Sequence, residues 1–313
     1  MEVRALARRS VEVIRDGQAR SGAYVAAPNY PPYGFSWLRD GSFIADAMSR
    51  VGEAQSAEAF HGWVARVVED RAGGSGPLRL EARYTLDGAN DPVDEWPKLQ
   101  HDGWGLWLWA LRGHAERGRT HEPEVVRAAE VVAEHVAGIW REPCTDWWEE
   151  RLGLHAATLA CLSAGLRAWG RDGVDVSLAE DRLDASLLAL VVLGAGGGAK
   201  LVERVTDGLV GATGGVHRHA DDVYYGGGEW LLLTGLLGWA ELLVGRPEAA
   251  RTRLDWIAAR ATPEGRLPEQ TQEHLLAPDA LSFWLAKWGP PACPLLWSHA
   301  MFLTLAHELG AVH

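Results

Sequence analysis

Asp146-Trp147-Trp148-Glu149-Glu150 and Leu267-Pro268-Glu269-Gln270 are the two stretches of this chain whose side chains could together do chemistry. A carboxyl set against bulky apolar rings has its charged form disfavoured and keeps a proton near neutral pH. A second carboxylate in a wetter setting stays ionised and can act as a base. An acid and a base on separate loops can flank one bond, and a gap of roughly 6.5–9.5 Å between them leaves room for a water. That is the equipment for hydrolysing a bond between two sugars. Glu149 and Glu269 lie more than a hundred residues apart, so each must arrive on its own loop. Adjacent Glu149 and Glu150 have diverging side chains and do not suit a shared acid/base task.

Tryptophan is the compositional outlier, 16 in 313 residues. Indole faces suit the apolar C–H faces of sugars, and they are equally good core filler. Trp63, Trp169, Trp239 and Trp256 fall within helical patterns and read as core. Trp37, Trp96, Trp147, Trp148, Trp230 and Trp297 stand beside polar motifs at segment ends and are the candidates for a pocket wall.

Other chemistries find little support. Net charge is −12 and no Lys/Arg block runs along a helix, so nucleic acid is not expected as a partner. No apolar run reaches membrane-spanning length, and residues 1–20 lack the apolar core of a signal peptide. Cys144, Cys161 and Cys293 form no CxxC pair, which fits a reducing compartment. A cytoplasmic location is expected. His217-x-His219-x-Asp221-Asp222 could ligate a metal, but no third histidine follows at ligand spacing, so neither metal nor cofactor is expected. Ser298-His299 are neighbours on a helix and do not face each other.

Helical periodicity must supply the scaffold. The apolar spacing predicts about twelve helices, over 2–16, 40–51, 53–71, 101–117, 124–140, 154–169, 178–193, 199–209, 230–244, 247–261, 279–288 and 295–309. Only 77–86 alternates like a strand or hairpin. The unusual residues concentrate in the connections 27–39, 87–100, 142–151, 211–229 and 261–278. A ring of helix pairs with its chemistry on loops at one rim fits that alternation. The 87–95 loop is expected to narrow the site.

Taken in order, the loops give Tyr33-Gly34-Phe35-Ser36-Trp37-Leu38-Arg39-Asp40, then Trp96-Pro97-Lys98-Leu99-Gln100, Asp146 to Glu150, His217 to Trp230, Pro268-Glu269-Gln270 and Trp297-Ser298-His299. In motifs and in their order the chain resembles glycoside hydrolase family 15, the glucoamylase-type enzymes, across roughly residues 24–305. The resemblance implies an all-α (α/α)6 barrel and inverting, exo-acting hydrolysis of α-glucosides with release of β-glucose. Glu149 corresponds to the proton donor and Glu269 to the base. Arg39 and Asp40 match the pair that grips the terminal glucose. Arg218 resembles the arginine at the boundary with the next sugar, Asp222 the acid beside it, and Glu150 the acid that meets the second sugar. Trp37, Trp96 and Trp297 look like stacking platforms, Trp148 a further pocket residue, and Tyr33 the tyrosine that orients the water. Trp147 stands where that family usually has leucine. A single catalytic domain over 1–313 is expected, with neither a β-sandwich ahead of it nor a starch-binding module. The substrate expected is a short α-linked gluco-oligosaccharide, isomaltose-type α-1,6 slightly favoured over maltose-type α-1,4. The oligomeric state is not legible.

Several readings stay open beside this one. Glu264 and Glu273 are rival bases near Glu269, and Glu150 reads equally well as a surface acid. A trehalase, a sugar epimerase or a catalytically silent sugar-binding protein would use a similar barrel.

Overall fold

The computed structural model describes residues 1–74, 78–93, 96–179 and 182–312. Its helices are α1 (Val3–Asp16), α2 (Leu38–Arg50), α3 (Ala54–Ala72), α4 (Asp102–Glu116), α5 (Pro123–Ile139), α6 (Ala156–Ala168), α7 (Leu188–Val192), α8 (Gly198–Leu209), α9 (Leu231–Leu243), α10 (Pro247–Ala259), α11 (Leu281–Trp288) and α12 (Leu296–Glu308). Among the described residues strand is confined to two-residue pairs: β1 (Ser36–Trp37) against β2 (Arg83–Tyr84), and β3 (Cys144–Thr145) against β4 (Leu152–Gly153).

The helices fall into two kinds by how their apolar residues are spread. In α2 every residue from Leu38 to Ser49 is buried, and α9 and α12 are buried nearly as completely. A helix apolar all round must be enclosed on all sides. These are inner helices, and α2, α4, α6, α7, α9 and α12 each pack on the next, with α12 returning to α2 to close a ring. By contrast, α5 buries only Val125, Ala128, Ala129, Val132, Ala133 and Val136, a single stripe at helical spacing. It belongs to an outer layer with α1, α3, α8 and α10. Six outer–inner pairs make an (α/α)6 barrel.

Twelve helices are present among the described residues, and one is not where the sequence puts it. The stretch 178–193 is not one helix. Short 3₁₀ turns at Val176–Leu178 and Ala185–Leu187 precede α7, and the fourth outer position holds only the first of these turns. Asp175 and Asp184 accept the backbone N–H groups of Ser177 and Ser186, which is the local alternative to a continuing helix. Helix α11, expected over 279–288, belongs to neither layer. It has no fully buried residue and rests on the Tyr224–Gly226 turn at the rim. Of the alternating segment 77–86, only Arg83 and Tyr84 pair as strand, and Pro77 lies outside the described residues.

The inner ring is tight. A Cβ on Gly105 of α4 would stand 2.4 Å from the carbonyl oxygen of Cys161 on α6, and one on Gly165 of α6 would stand 2.4 Å from the carbonyl oxygen of Gly105. Backbone cannot give way like a flexible side chain, so each helix carries glycine where the other crosses. Gly105→Ala is expected to cost about 1–3 kcal/mol. A melting curve should show it as a Tm loss of several degrees, with the far-UV helical signal retained.

Candidate active site

Four of the five unusual connections lead into inner helices and the fifth into α11, and all of them meet at one end of the ring. The first residues of those helices become a wall. Trp37 is the extended residue before α2, and Arg39 and Asp40 form its first turn. Trp230 stands in the same place before α9, and Trp297 is the second residue of α12. Together with the loops they enclose a pocket of about 310 Å³. Tyr33, Trp37, Arg39, Asp40, Trp96, Trp148, Glu149, Glu150, Arg218, Glu269 and Trp297 all line it. Asp222 does not. It is fully buried behind Arg218, where both its oxygens accept from the guanidinium and one also takes the Tyr224 N–H. It holds an arginine in place and does not reach the pocket.

Glu149 stands on a tight turn. Its N–H donates to the Asp146 carbonyl at 3.1 Å, and the Asp146 carboxylate receives the N–H groups of Glu150 and Arg151. The turn forces Glu149 to φ +63°, a left-handed backbone that a residue with a Cβ adopts at a cost. Such strain collects at functional sites. The side chain is held as firmly. One carboxylate oxygen accepts the Trp37 indole N–H at 2.7 Å, and the other accepts that of Trp96. Loss of solvent pushes this carboxyl up to about 7, although the charge of Arg39 and the Trp37 bond restrain it.

Glu269 is fixed from elsewhere in the chain. Its N–H donates to the Ala292 carbonyl, and its own carbonyl accepts the N–H of Leu231, the first residue of α9. Tyr33 donates its hydroxyl to one carboxylate oxygen at 3.0 Å, and Tyr224 lies 2.7 Å from the same hydroxyl. The other oxygen is buried without a hydrogen-bond partner among the described residues. Glu269 is 1% exposed. The wetter setting expected for it is therefore absent. Burial pushes it up to about 8, against the Tyr33 hydrogen bond and the Arg218 charge. Its rivals Glu264 and Glu273 are exposed, away from the pocket.

Two arginines face into the pocket with their charges already matched. Arg39 reaches Gln100 at 3.0 Å and Asp102 at 3.1 Å, and it lies over the rings of Trp147 and Trp297. Its Nε and the Oδ1 of Asp40 make no hydrogen bond among the described residues, and they stand 3.6 Å apart on the pocket wall. A donor and an acceptor side by side suit vicinal hydroxyls. Burial lifts Asp40 to about 6 despite Arg39. Arg218 donates to Glu150 at 2.8 Å and sits among Trp148, Tyr224 and Trp230. Glu150 also meets His219 at 3.2 Å, and these partners together hold its carboxyl below the usual range although partial burial opposes them. Among the described residues Glu150, His219 and Asp222 could surround a cation, but Arg218 already neutralises two of the three. His217 turns away to the Gly227 carbonyl.

Some pocket residues were not legible in the sequence. Trp284, Lys287 and Trp288 line it from α11, with Trp288 stacked on Trp96 at 5.5 Å. Their i, i+4 spacing places Trp284 and Trp288 on one helix face without saying what that face meets. Asp184 accepts the Trp148 indole N–H at 2.8 Å and so orients that ring. The 87–95 loop includes Asp94 and Glu95, which lie outside the described residues. Cys144 is buried on β3 away from the pocket, its thiol pushed up to about 12 by burial.

A ring of paired helices with one buried and one half-buried carboxyl, unpaired polar atoms and stacked indoles in one pocket defines a glycoside-cleaving enzyme. The comparisons agree. Residues 11–171 match the model of glycosyl hydrolases family 15. An isomaltose glucohydrolase of Kribbella flavida is 38% identical over 97% of this chain and 92% of its own. The solved structure of a glycosidase variant in complex with glucose is 36% identical over 99% of this chain and 98% of that one, with a TM-score of 0.92. A bacterial glucoamylase complexed with acarbose shares the fold, with a TM-score of 0.73 at 18% identity over 98% of this chain and 56% of that one. The chain belongs to glycosyl hydrolase family 15.

Three acids raised by burial make the site costly to keep ionised. A carboxyl whose folded pKa exceeds its unfolded value subtracts stability as pH rises between the two. For Glu269 that window runs from the ordinary glutamate range near 4.3 to about 8. Glu269→Gln is therefore expected to melt a few degrees above the native protein at pH 8. Scans repeated at lower pH should show the difference vanishing near pH 4.

Proposed function

We propose that this protein is an inverting, exo-acting α-glucoside hydrolase. It removes β-glucose from the non-reducing end of short α-linked gluco-oligosaccharides, with isomaltose-type α-1,6 links favoured over maltose-type α-1,4. The observation that carries the reading is the pair Glu149 and Glu269. Both line one aromatic pocket, one held by two indole N–H groups and the other by a tyrosine hydroxyl.

Glu149 gives its proton to the glycosidic oxygen as the bond to the anomeric carbon breaks. Glu269 takes a proton from a water that attacks the opposite face, so the configuration inverts. The products are two free sugars, and exchange with solvent resets both carboxyls. Two carboxyls and one water balance this reaction without a cofactor. Arg39 Nε and Asp40 Oδ1 would hold hydroxyls of the terminal glucose, and Arg218 with Glu150 those of the next sugar. Tyr33 fixes Glu269, and the rings of Trp37, Trp96, Trp148 and Trp297 pave the walls. These contacts raise kcat only where they tighten as positive charge develops on the sugar ring.

The preference for short α-1,6 substrates is supported by two facts. The isomaltose glucohydrolase of Kribbella flavida matches along almost the whole of both chains. Trp288 stacked on Trp96 narrows the pocket beside the proton donor. The described residues read as one catalytic unit. No helix among them is long and apolar enough to cross a membrane. All three cysteines are free, which supports work in the reducing cytoplasm.

Isomaltose, maltose and trehalose, followed by proton NMR from the first minutes, test this reading. Isomaltose should turn over fastest and β-glucose should appear before mutarotation. Glu149→Gln and Glu269→Gln should each lower kcat by about 10²–10⁴-fold. First appearance of α-glucose would refute inversion. Binding without turnover would favour a silent sugar-binding protein, and faster trehalose cleavage a trehalase.

A further inference from the structure

Arg83 is 1% exposed and does not line the pocket. It comes from β2, which pairs with β1, the strand that ends in Trp37. Its guanidinium lies 4.6 Å from the ring centre of Trp37, 4.6 Å from that of Trp96 and 4.7 Å from that of Phe35. Two of these three rings are the indoles that donate to Glu149. A buried arginine over a ring is ordinarily explained by packing. One that contacts both donors to the same carboxylate is placed for more than that.

We propose that Arg83 is a positioning residue for the proton donor, acting on Glu149 through the Trp37 and Trp96 indoles. The proposal rests on the reading of Glu149 as the acid. A cation over an indole face fixes the plane of the ring and so the direction of its N–H. It also draws density from the ring, which strengthens that N–H as a donor. The same charge stands near Glu149 and favours its ionised form.

Asp91 completes the device. It takes Arg83 Nε at 2.7 Å, and Arg83 Nη2 as well, and its side chain is fully buried. Its second oxygen accepts the Val93 N–H and its carbonyl accepts from Lys98 Nζ. The pair therefore also ties down the strap that brings Trp96 over the pocket. The other charges acting on Glu149 are Arg39 and Asp40 from α2. Glu81 and Lys98 lie on the outer side with Asp91.

Two variants separate this role from simple support. Arg83→Met combined with Asp91→Asn removes both charges and leaves no buried ion unpaired. Asp91→Asn alone leaves the arginine charge unbalanced. The double variant should lose about tenfold or more in kcat on isomaltose with KM little changed. It should stay within about threefold of native on α-glucosyl fluoride, whose leaving group needs no proton. The limb of its kcat/KM profile that reports Glu149 should move up by about half a pH unit or more, and that of Asp91→Asn should move down. A carboxyl-carbon NMR titration of Glu149 in labelled protein, assigned by its absence in Glu149→Gln, should follow the same two directions. Equal loss on both substrates, or limbs and titrations that stay put or move together, would overturn the proposal. Should the native protein cleave neither sugar, the functional reading falls, and the NMR titration still decides whether Arg83 controls Glu149. Should the double variant not fold, Asp91→Asn alone decides through the sign of its shift.

Discussion

The indole N–H groups of Trp37 and Trp96 both end on the carboxylate of Glu149, and the pocket is arranged around those two bonds. An acid catalyst needs an environment dry enough to keep a proton and polar enough to release it. Indoles supply both at once, an apolar face and one fixed donor. The same choice recurs at Trp148, whose N–H is spent on Asp184 so that its face is free for the pocket. Aromatic side chains here are wall, ruler and hydrogen-bond donor together.

That arrangement puts a heavy demand on the charges behind the wall. Arg39 is matched by Asp102, Arg218 by Asp222 and Arg83 by Asp91, three arginine–aspartate pairs buried around one small cavity. Removing one partner from such a pair strands the other in a poor solvent. Each pair spans two elements or two turns, so the charges also fix the loops against one another. The left-handed turn at Glu149 persists because its neighbours leave the chain no alternative. The ring of inner helices gives these loops a rigid floor, with glycines letting α4 and α6 approach to backbone contact.

Much of this was legible before any coordinates, for a physical reason. In a chain of apolar helices, a loop rich in Trp, Arg, Asp and Glu is not needed for folding, so Tyr33 to Asp40, Asp146 to Glu150 and Pro268 to Gln270 stand out. What stayed hidden depends on distant partners. Arg83 lies in an alternating run where an arginine reads as the exposed face of a strand, and only the return of Trp37 and Trp96 buries it. Glu269 is held in its buried place by hydrogen bonds to Leu231, Ala292 and Tyr33, none of them near it in sequence. Asp222 sits beside Arg218 in the chain and so read as a second contact for the sugar, when its oxygens are wholly engaged by that arginine. The helix spacing of 178–193 concealed the Asx turn at Asp184, and nothing in the sequence told that Trp284 and Trp288 of α11 face the pocket.

The return of α12 to α2 has a bearing on how the enzyme comes into being. The Leu296 N–H donates to the Ala26 carbonyl, and His299 meets Ser10 across a sequence separation of 289 residues. Trp297 reaches its place over Arg39 only when that seam is made. A chain emerging from the ribosome thus carries an open arc of helices, with an unclosed apolar flank and no working cavity, until α12 is released. Birth of the catalyst is a single late event, and the growing polypeptide is both inert towards sugars and most vulnerable to aggregation just before it.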